Sequence, residues 1–470
     1  MLFNLNKYGS AVALIADSAT YTYAELADAS EKIAYAIGSR SLVFQLCTNT
    51  VASVAGYVAF INHRVVPAMV DAELDTESLA HLIKIYHPAH LWLPESRAGE
   101  FAGYTAKFAR GGYALLAAEN QNFYPLHDKI ALLMTTSGST GSPKFVRLSY
   151  DNIRANTDSI IEYLHINGKE RAITNLPMHY VFGLSIINTH LAMGASVVVT
   201  DKTLFQKEFW QLVKEKEVTS LSGVPYTFEM LNRLRFFRMD LPKLKTITQA
   251  GGKLDAELHE KFATYAEKTG KSFVVMYGAA EATARMGYLP PKDSLRKCGP
   301  MGIAIPGGRF ELIDEQGNVI DGTDSPGELV YYGDNVMMGY ATCGEDLAKG
   351  DEMGGRLATG DLAKRDSEGF YTIVGRKKRF LKMFGKRTNL QEVEHIVRQH
   401  FSLDDVACGG VDNKLYVFVA DESVVKEIVP YLSGKLGLHP SAFVVMHLPT
   451  LPQNAAGKIL YRELEQYYDL

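Results

Sequence analysis

The sequence has few cysteines for its length, and their positions argue against two common kinds of site. Four cysteines occur in 470 residues, far apart at positions 47, 298, 343 and 408. No pair has the spacing of zinc ligands, and the pattern is not that of a disulfide framework. We therefore expect reduced, buried thiols, as in a cytoplasmic protein.

Long apolar runs and a targeting signal are also missing. No apolar stretch reaches the roughly 18 residues that could span a bilayer, and no basic stretch followed by an apolar run opens the sequence. The net charge of −4 gives no indication of a nucleic-acid-binding protein. Internal repeats and low-complexity segments are absent as well, which leaves an ordinary globular composition.

Short β-branched runs alternate with amphipathic stretches along most of the chain. Strands are predicted at Ser196–Thr200, Lys245–Thr248 and Ser272–Met276, and helices at Leu204–Lys216 and Asp255–Lys268. This alternation predicts an α/β fold with mainly parallel sheets. A chain of 470 residues is too long for one core, so two or three domains are expected.

The texture of the sequence changes after residue 300. Turns become frequent and separate the predicted strands Arg309–Ile313 and Glu328–Tyr332, which indicates a small antiparallel, barrel-like unit at about residues 300–375. A strongly basic segment follows Gly375, and the remainder reads as a small α+β unit. We predict a large domain at residues 1–377 and a small C-terminal domain at residues 378–470.

The sharpest motif is T-S-G-S-T-G-S-P-K at residues 136–144, which follows an apolar strand predicted at residues 130–134. Its glycines allow a tight turn whose N–H groups can face an anion, and its hydroxyls and lysine add donors and positive charge. A Walker loop has four residues between its glycines, whereas this motif has two. The predicted phosphate-binding residues are Thr136, Ser137, Gly138, Ser139, Thr140, Gly141 and Lys144.

This loop resembles the phosphate loop of the adenylate-forming superfamily, which includes acyl-CoA and aryl-CoA synthetases. Further motifs of that superfamily follow in the same order: Q-A-G-G at 249–252, Y-G-A-A-E at 277–281, T-G-D at 359–361, a basic segment at 375–394 and P-Q-N-A-A-G-K at 452–458. The resemblance covers roughly residues 10–466. It implies a large AMP-binding domain and a small, mobile C-terminal domain that completes the site.

The resemblance also implies roles for single residues in ATP binding. Tyr277, beside Gly278, would pack against adenine, and Glu281 would hold Mg²⁺ near the triphosphate. The separate turn that includes Gly251 and Gly252 would lie against adenine and the acyl chain. Ala280 replaces the threonine usual in this motif, which puts the rate of adenylation in question.

The later motifs supply the rest of the implied site. Asp361 would accept hydrogen bonds from the ribose hydroxyls, and Arg376 and Arg387 would contact ATP phosphate or ribose oxygens. Lys458 would be the catalytic lysine of adenylation, because it can neutralise charge where a carboxylate meets the α-phosphate. Arg379 stands where an acidic residue is usual.

A hinge and a thiol-side loop are implied as well. Lys378 occupies the hinge position, and Gly385 belongs to the loop expected on the thiol side. Since one small domain cannot easily place both the Gly385 loop and Lys458 in one site, the superfamily rotates that domain between two half-reactions.

The acyl pocket is less sharply marked. The residues assigned to it are Tyr180, Val224, Tyr226 and Ala250, and His179 is either a structural or a functional histidine. No acidic residue occurs between Arg171 and Thr200 that could pair with a substrate ammonium, so an α-amino acid is disfavoured and a neutral-tailed acid is expected.

The resemblance therefore implies ATP-dependent formation of an acyl-adenylate with release of pyrophosphate, followed by acyl transfer to a thiol. The expected reactants are a carboxylic acid, ATP with Mg²⁺, and coenzyme A. Two alternatives stay open at this point. One is a ligase that loads the phosphopantetheine of a carrier protein, and the other is a non-catalytic nucleotide-binding relative, which Ala280 and Arg379 suggest.

Overall fold

A computed structural model describes residues 2–120, 122–135, 144–376, 379–383, 386–411, 413–454 and 459–468. The chain divides into two compact units. The first comprises Met1–Phe310 and Tyr331–Leu357, and the second comprises Glu311–Val330 and Ala358–Leu470. The domain boundary between residues 377 and 378 stays a prediction, since both residues lie outside the described ranges.

Strands and helices alternate through the first unit, as the sequence predicts. The strands of the chain are β1 (Val12–Ile15), β2 (Thr20–Thr22), β3 (Leu42–Cys47), β4 (Val66–Asp71), β5 (His90–Pro94), β6 (Tyr104–Arg110), β7 (Tyr113–Ala118), β8 (Ile130–Thr135), β9 (Phe145–Ser149), β10 (Arg171–Ile173), β11 (Ser196–Val198), β12 (Ser220–Gly223), β13 (Thr246–Gln249), β14 (Ser272–Tyr277), β15 (Gly287–Tyr288), β16 (Ile303–Ala304), β17 (Arg309–Ile313), β18 (Gly327–Tyr332), β19 (Gly339–Ala341), β20 (Arg356–Arg365), β21 (Tyr371–Arg376), β22 (Phe380–Met383), β23 (Lys386–Asn389), β24 (Val406–Val411), β25 (Lys414–Val419) and β26 (Phe443–His447).

The helices are α1 (Leu5–Tyr8), α2 (Tyr23–Ile37), α3 (Val51–Asn62), α4 (Thr76–Tyr86), α5 (Tyr150–Leu164), α6 (Val181–Ala192), α7 (Lys207–Glu215), α8 (Pro225–Arg233), α9 (Ala256–Thr269), α10 (Leu390–Phe401), α11 (Val425–Leu436) and α12 (Tyr461–Leu464). The predicted strands at residues 130–134, 196–200, 245–248 and 272–276 and the predicted helices at 204–216 and 255–268 are confirmed, with ends that shift by one to three residues. Among the described residues, no helix combines the length and the apolar character needed to cross a lipid bilayer.

One sheet of the first unit has the order β16-β15-β14-β13-β12-β10-β11-β1-β2. Its central strands are parallel: Gly223 on β12 faces Gln249 on β13, which faces Val275 on β14. Parallel pairing brings the carboxyl ends of these strands to the same edge of the sheet. The residues that follow β12, β13 and β14 are those of the predicted pocket, the Q-A-G-G turn and the Y-G-A-A-E motif.

A second sheet of the first unit has the order β19-β9-β8-β4-β3-β5-β7-β6. Strands β8 and β9 form an antiparallel pair in which Thr135 faces Phe145, so the predicted phosphate loop connects two adjacent strands. Strand β19 runs antiparallel to β9 and sets Tyr340 opposite Val146. The register therefore fixes Tyr340 near the C-terminal end of the phosphate loop.

Helices α3 and α6 lie inside a core that both sheets share. Nearly every side chain of the two helices is buried, because their sequences are apolar on all faces. The same cluster contains Leu14 and Val197 from one sheet and Val43 and Met69 from the other. We call the edge of the first sheet at which β12, β13 and β14 end the site edge. This edge rests on a continuous apolar core.

The second unit contains most of a sheet of order β17-β18-β20-β21, in the region predicted to be a barrel-like antiparallel unit. It also contains the β22-β23 pair and a sheet of order β24-β25-β26. Helices α10 and α11 cover that last sheet through a core that includes Val393, Ile428 and Val417. The α/β class with a smaller C-terminal α+β part is therefore confirmed.

A buried arginine ties β9 to the segment after β19. The side chain of Arg147 is fully buried, and its guanidinium donates to the carbonyl oxygens of Tyr340 at 3.1 Å and Gly350 at 3.2 Å. It also pairs with the carboxylate of Glu352. A buried cation that satisfies several acceptors cannot be removed cheaply, since each acceptor would lose its partner.

Replacing Arg147 by Met should lower the free energy of unfolding of the first unit by about 3–5 kcal/mol, because buried carbonyl groups and Glu352 lose their donor. Both tryptophans, Trp92 and Trp210, lie in this unit, so tryptophan fluorescence during urea unfolding reports on it. The exposed Arg238 provides the control: Arg238→Met should change stability by less than about 0.5 kcal/mol. Equal effects of the two substitutions would show that Arg147 has no special role.

Candidate active site

The turn after β13 brings three predicted residues together. Gly251 has φ +87°, and a Cβ atom at this position would lie 2.7 Å from the Tyr180 hydroxyl and 3.0 Å from a methyl group of Val224. Only glycine therefore fits between the two side chains. The side-chain amide of Gln249 donates a hydrogen bond to the Gly252 carbonyl at 2.9 Å and stabilises the turn.

The other predicted pocket residues differ in exposure. Ala250 is buried at 2% exposure, whereas Tyr226 exposes 45% of its surface on α8. Gly252 packs close to the ring of Pro225. The acyl roles of these residues stay predictions. The structure shows that Tyr180 and Val224 lie next to Gly251.

His179 faces a carboxylate at the end of β4. Its Nε2 atom lies 3.7 Å from Asp71 Oδ2, and burial lowers the pKa of the imidazole although the Asp71 charge opposes that shift. The Nδ1 atom of His179 is buried and has no hydrogen-bond partner among the described residues. The nearby Asp71 carboxylate gives this largely buried imidazole a polar neighbour. Both the structural and the functional role remain predictions for His179.

The segment after Tyr277 contains a strained turn. Thr283 has φ +64° and ψ −51°, and the Ala284 N–H donates to the Ala282 carbonyl at 2.7 Å, which is a γ-turn of the rare positive-φ kind. The returning backbone passes so close to Gly278 that a Cβ there would lie 1.8 Å from the Ala284 carbonyl oxygen. Strain of this kind persists where the surroundings fix it, and it is common beside functional sites.

Two buried asparagines fix the strained segment. Asn335 donates to the carbonyl oxygens of Ala282 at 2.9 Å and Arg285 at 2.8 Å, and it accepts from the Tyr331 hydroxyl. Asn156 on α5 also donates to the Arg285 carbonyl, at 2.9 Å. These bonds hold the backbone that carries Glu281, and the sequence motifs did not indicate either asparagine.

Glu281, Tyr340 and Lys144 form a polar group at the site edge. The Tyr340 hydroxyl donates to Glu281 Oε1 at 2.8 Å, and the Lys144 ammonium lies 3.3 Å from the centre of the Tyr340 ring. Burial, and then the charge of Glu281, raise the pKa of the Tyr340 phenol, so it stays protonated and acts as the donor. Tyr340 was missed from the sequence, because its pairing with β9 is a long-range contact.

This arrangement suits a nucleotide triphosphate and a hard cation. Lys144 supplies positive charge where the phosphate loop ends, and the oriented Glu281 carboxylate is an oxygen ligand of the kind that Mg²⁺ prefers. Within the described ranges, no group of three or more His, Cys, Asp or Glu side chains could hold a metal ion. One carboxylate fits a Mg²⁺ ion that arrives with substrate phosphates rather than one in an all-protein cage.

Several predicted residues lie outside the described part of the chain. They are Thr136, Ser137, Gly138, Ser139, Thr140 and Gly141 of the phosphate loop, the hinge residue Lys378, the thiol-side residue Gly385 and the catalytic lysine Lys458. Their roles stay predictions.

The second unit holds the predicted ribose residue. Asp361 is 7% exposed, and its carboxylate accepts a hydrogen bond from the Nε atom of the half-exposed Arg376 at 3.0 Å. Its N–H donates to the Thr359 hydroxyl at 3.1 Å. The predicted residues Asp361 and Arg376 are thus direct partners, and Arg387 lies on β23 opposite Lys382.

Arg379, which departs from the superfamily pattern, has a structural partner in the second unit. Its guanidinium donates to Glu394 at 2.6 Å and to the Cys408 carbonyl at 2.8 Å. It also covers the ring of Tyr461 at 3.6 Å, and Tyr461 donates to the same glutamate. A buried ion pair accounts for this arginine, so its presence is no evidence for loss of nucleotide chemistry.

Comparison with known proteins identifies the family. The family model described as "AMP-binding enzyme" matches residues 3–341, most of the chain. The chain belongs to the AMP-binding enzymes. The match includes Lys144, Tyr277, Glu281 and Tyr340, and it confirms the adenylate-forming resemblance that the motifs indicated.

Individual AMP-binding enzymes agree with this assignment. A long-chain-fatty-acid–CoA ligase of Escherichia coli O157:H7 is 30% identical over 359 residues, which are 72% of this chain and 61% of that protein. The chain thus spans about 61% of the length of this curated relative. Such a match relates the sequences and leaves the substrate of this chain to be inferred from its own residues.

Solved structures of AMP-binding enzymes share the fold. An o-succinylbenzoate coenzyme A synthetase (MenE) from Bacillus subtilis, in complex with AMP, has a TM-score of 0.80 at 24% identity and covers 98% of this chain and 97% of its own. ATP-bound MatB from Rhodopseudomonas palustris has a TM-score of 0.80 at 22% identity and covers 100% and 99%. The likeness extends over both units.

In this AMP-binding enzyme, Tyr340→Phe should weaken binding of Mg·ATP about 10-fold. The substitution keeps the ring beneath Lys144 and removes the hydroxyl that orients Glu281, and a hydrogen bond to a charged group contributes about 1.5 kcal/mol or more. Isothermal titration with ATP, with and without Mg²⁺, measures the change, which should be larger with the metal.

Tyr340→Leu should weaken binding further, since it also removes the aromatic face that Lys144 contacts. Tyr35 is 90% exposed, so Tyr35→Phe is the matched control and should bind as the wild type does. Unchanged Mg·ATP affinity in Tyr340→Phe would contradict the proposed orientation of Glu281.

Proposed function

We propose that this protein activates a carboxylic acid with ATP and then transfers the acyl group to a thiol, that of coenzyme A. The observation that carries the proposal is the Lys144–Tyr340–Glu281 group, set at the sheet edge where the strained segment and the Gly251 turn also end. The family assignment supports it.

In the first half-reaction, a carboxylate oxygen of the substrate attacks the α-phosphorus of ATP. The bond from that phosphorus to the bridging oxygen breaks, and pyrophosphate leaves with the electron pair. Glu281 would hold Mg²⁺, which supplies charge neutralisation for the phosphates when it is bound. Tyr340 orients Glu281, and Lys144 offsets negative charge on the leaving group.

In the second half-reaction, a thiol sulfur attacks the acyl carbon of the adenylate and loses its proton to solvent, the bond from the acyl carbon to the phosphate oxygen breaks, and AMP leaves with the electron pair. Coenzyme A is the acceptor that we propose, because the relative from Escherichia coli is a CoA ligase. A carrier-protein phosphopantetheine would undergo the same chemistry, and loading of a carrier in its place would change the acceptor but not the adenylation step.

Further residues complete the proposal. We assign contact with adenine to Tyr277 and Gly278, and contact with the ribose to Asp361. Arg376 and Arg387 would contact oxygen atoms of the nucleotide. Lys458 would contact the α-phosphate. Lys378 would be the hinge about which the C-terminal domain reorients between half-reactions.

A cytoplasmic location also belongs to the proposal. All four cysteines are free, and burial raises the pKa of the Cys47 and Cys408 thiols well above the usual value. Inert, unpaired thiols are typical of a reducing compartment.

The test measures pyrophosphate release from ATP over a panel of carboxylic acids, with and without coenzyme A. We expect release that depends on one class of acid, and thioester formation when coenzyme A is added. Pyrophosphate release from no acid in the panel would contradict the proposal.

Lys458→Ala separates the two half-reactions. It should lower adenylate formation by about 100-fold or more, because a charge that stabilises the transition state is lost. Thioester formation from supplied acyl-adenylate should largely survive. Lys426, exposed on α11, gives the control Lys426→Ala, which should leave both steps unchanged. Equal loss of both activities in Lys458→Ala would refute the assigned role.

A further inference from the structure

A buried arginine lies next to the residues assigned to the acyl pocket. Arg285 follows the γ-turn at Thr283 and is 3% exposed. Its guanidinium carbon lies 3.9 Å from the centre of the Phe182 ring. The Phe182 and Tyr180 rings adjoin edge to face at 6.4 Å, and the Tyr180 hydroxyl reaches the Gly251 turn. A continuous line of contacts therefore joins Arg285 to the site edge.

Among the described residues, no carboxylate balances the charge of Arg285. In the described part of the chain, its guanidinium donates only to the Ala284 carbonyl, at 3.1 Å, and its Nε atom has no partner. The neighbouring groups are the rings of Phe182, Tyr180 and Tyr163, and no described carboxylate pairs with it. Burial accordingly lowers the pKa of the guanidinium.

Two other largely buried arginines of this chain each have a carboxylate partner. Arg147 pairs with Glu352, and Arg379 pairs with Glu394. A buried cation without an anion is costly, so its retention calls for a partner from outside the chain. A guanidinium is suited to hold a carboxylate through two parallel hydrogen bonds.

Resting on the proposed function, we propose that Arg285 selects acids whose tail carries a second carboxylate. The first carboxylate of such a substrate is activated by ATP, and the second pairs with Arg285 beyond the aromatic rings of Tyr180 and Phe182. The reaction itself is unchanged, because the tail carboxylate takes no part in bond making. This inference replaces the neutral-tailed acid that the sequence led us to expect.

The aromatic rings between the guanidinium and the Gly251 turn add to this selectivity. Tyr180 and Phe182 exclude water from the path of the tail, which strengthens an ion pair at its end. An acid that places a methyl group beside Arg285 would leave the cation desolvated and unpaired. A substrate ammonium would meet a like charge, in agreement with the absence of acidic residues between Arg171 and Thr200.

The test compares acids of equal length with and without the tail carboxylate. Succinate through suberate are paired with butyrate through octanoate, and binding is measured by calorimetry in the presence of Mg²⁺ and α,β-methylene-ATP, which cannot release pyrophosphate. We expect at least one dicarboxylate to bind about 10-fold or more tightly than its partner, and to show at least about 100-fold higher kcat/KM in pyrophosphate release. Equal binding within every pair would overturn the inference.

Arg285→Met removes the charge and keeps an apolar side chain of similar reach. It should abolish the preference for the dicarboxylate and leave the affinity for Mg·ATP unchanged. Arg154, exposed on α5, gives the matched control Arg154→Met, which should keep the preference. A preference that survives in Arg285→Met would also refute the inference. If this variant does not fold, the comparison of acid pairs in the wild type still decides.

The two readouts separate this inference from the proposed function. Dicarboxylates that bind selectively but release no pyrophosphate from ATP would support the role of Arg285 and contradict the adenylation proposal. Pyrophosphate release with monocarboxylates alone would support adenylation and contradict the role of Arg285.

Discussion

The hydrogen bond from Tyr340 to Glu281 is the interaction on which the candidate site depends. It joins a strand of one sheet of the first unit to the loop at the edge of the other. Arg147 holds β9 to the segment around Tyr340, and Asn335 holds the strained backbone that carries Glu281. Each of these contacts fixes one end of the same bond, so the carboxylate has little freedom to turn away from a bound nucleotide.

Much of the fold could be predicted from the sequence, because its signals are local. The β-branched runs and amphipathic stretches predicted strands and helices of the first unit. The motif at residues 136–144 resembles the phosphate loop of the adenylate-forming superfamily. Motif order then predicted which residues share a site. In the structure, Tyr180 and Val224 lie next to Gly251, and the pocket roles assigned to them stay predictions.

The contacts that could not be predicted depend on distant pairing. Tyr340 contacts Glu281 because β19 pairs with β9 in one particular register. The local sequence of either strand does not predict that register. Nothing in the sequence distinguishes Asn156 and Asn335 from other polar residues. In the structure, both side-chain amides donate to the Arg285 carbonyl. No sequence motif singled out Arg285. Its burial beside the Phe182 ring is seen only in the structure, and the proposed role in substrate selection depends on it.

The most direct test of this account is a crystal structure of the protein with ATP and Mn²⁺, which replaces Mg²⁺ and gives an anomalous signal. The account predicts a manganese peak at direct or one-water distance from the Glu281 carboxylate, with the Tyr340 hydroxyl still bonded to that carboxylate and the triphosphate beside Lys144. A nucleotide bound with its metal away from Glu281 would contradict the central claim.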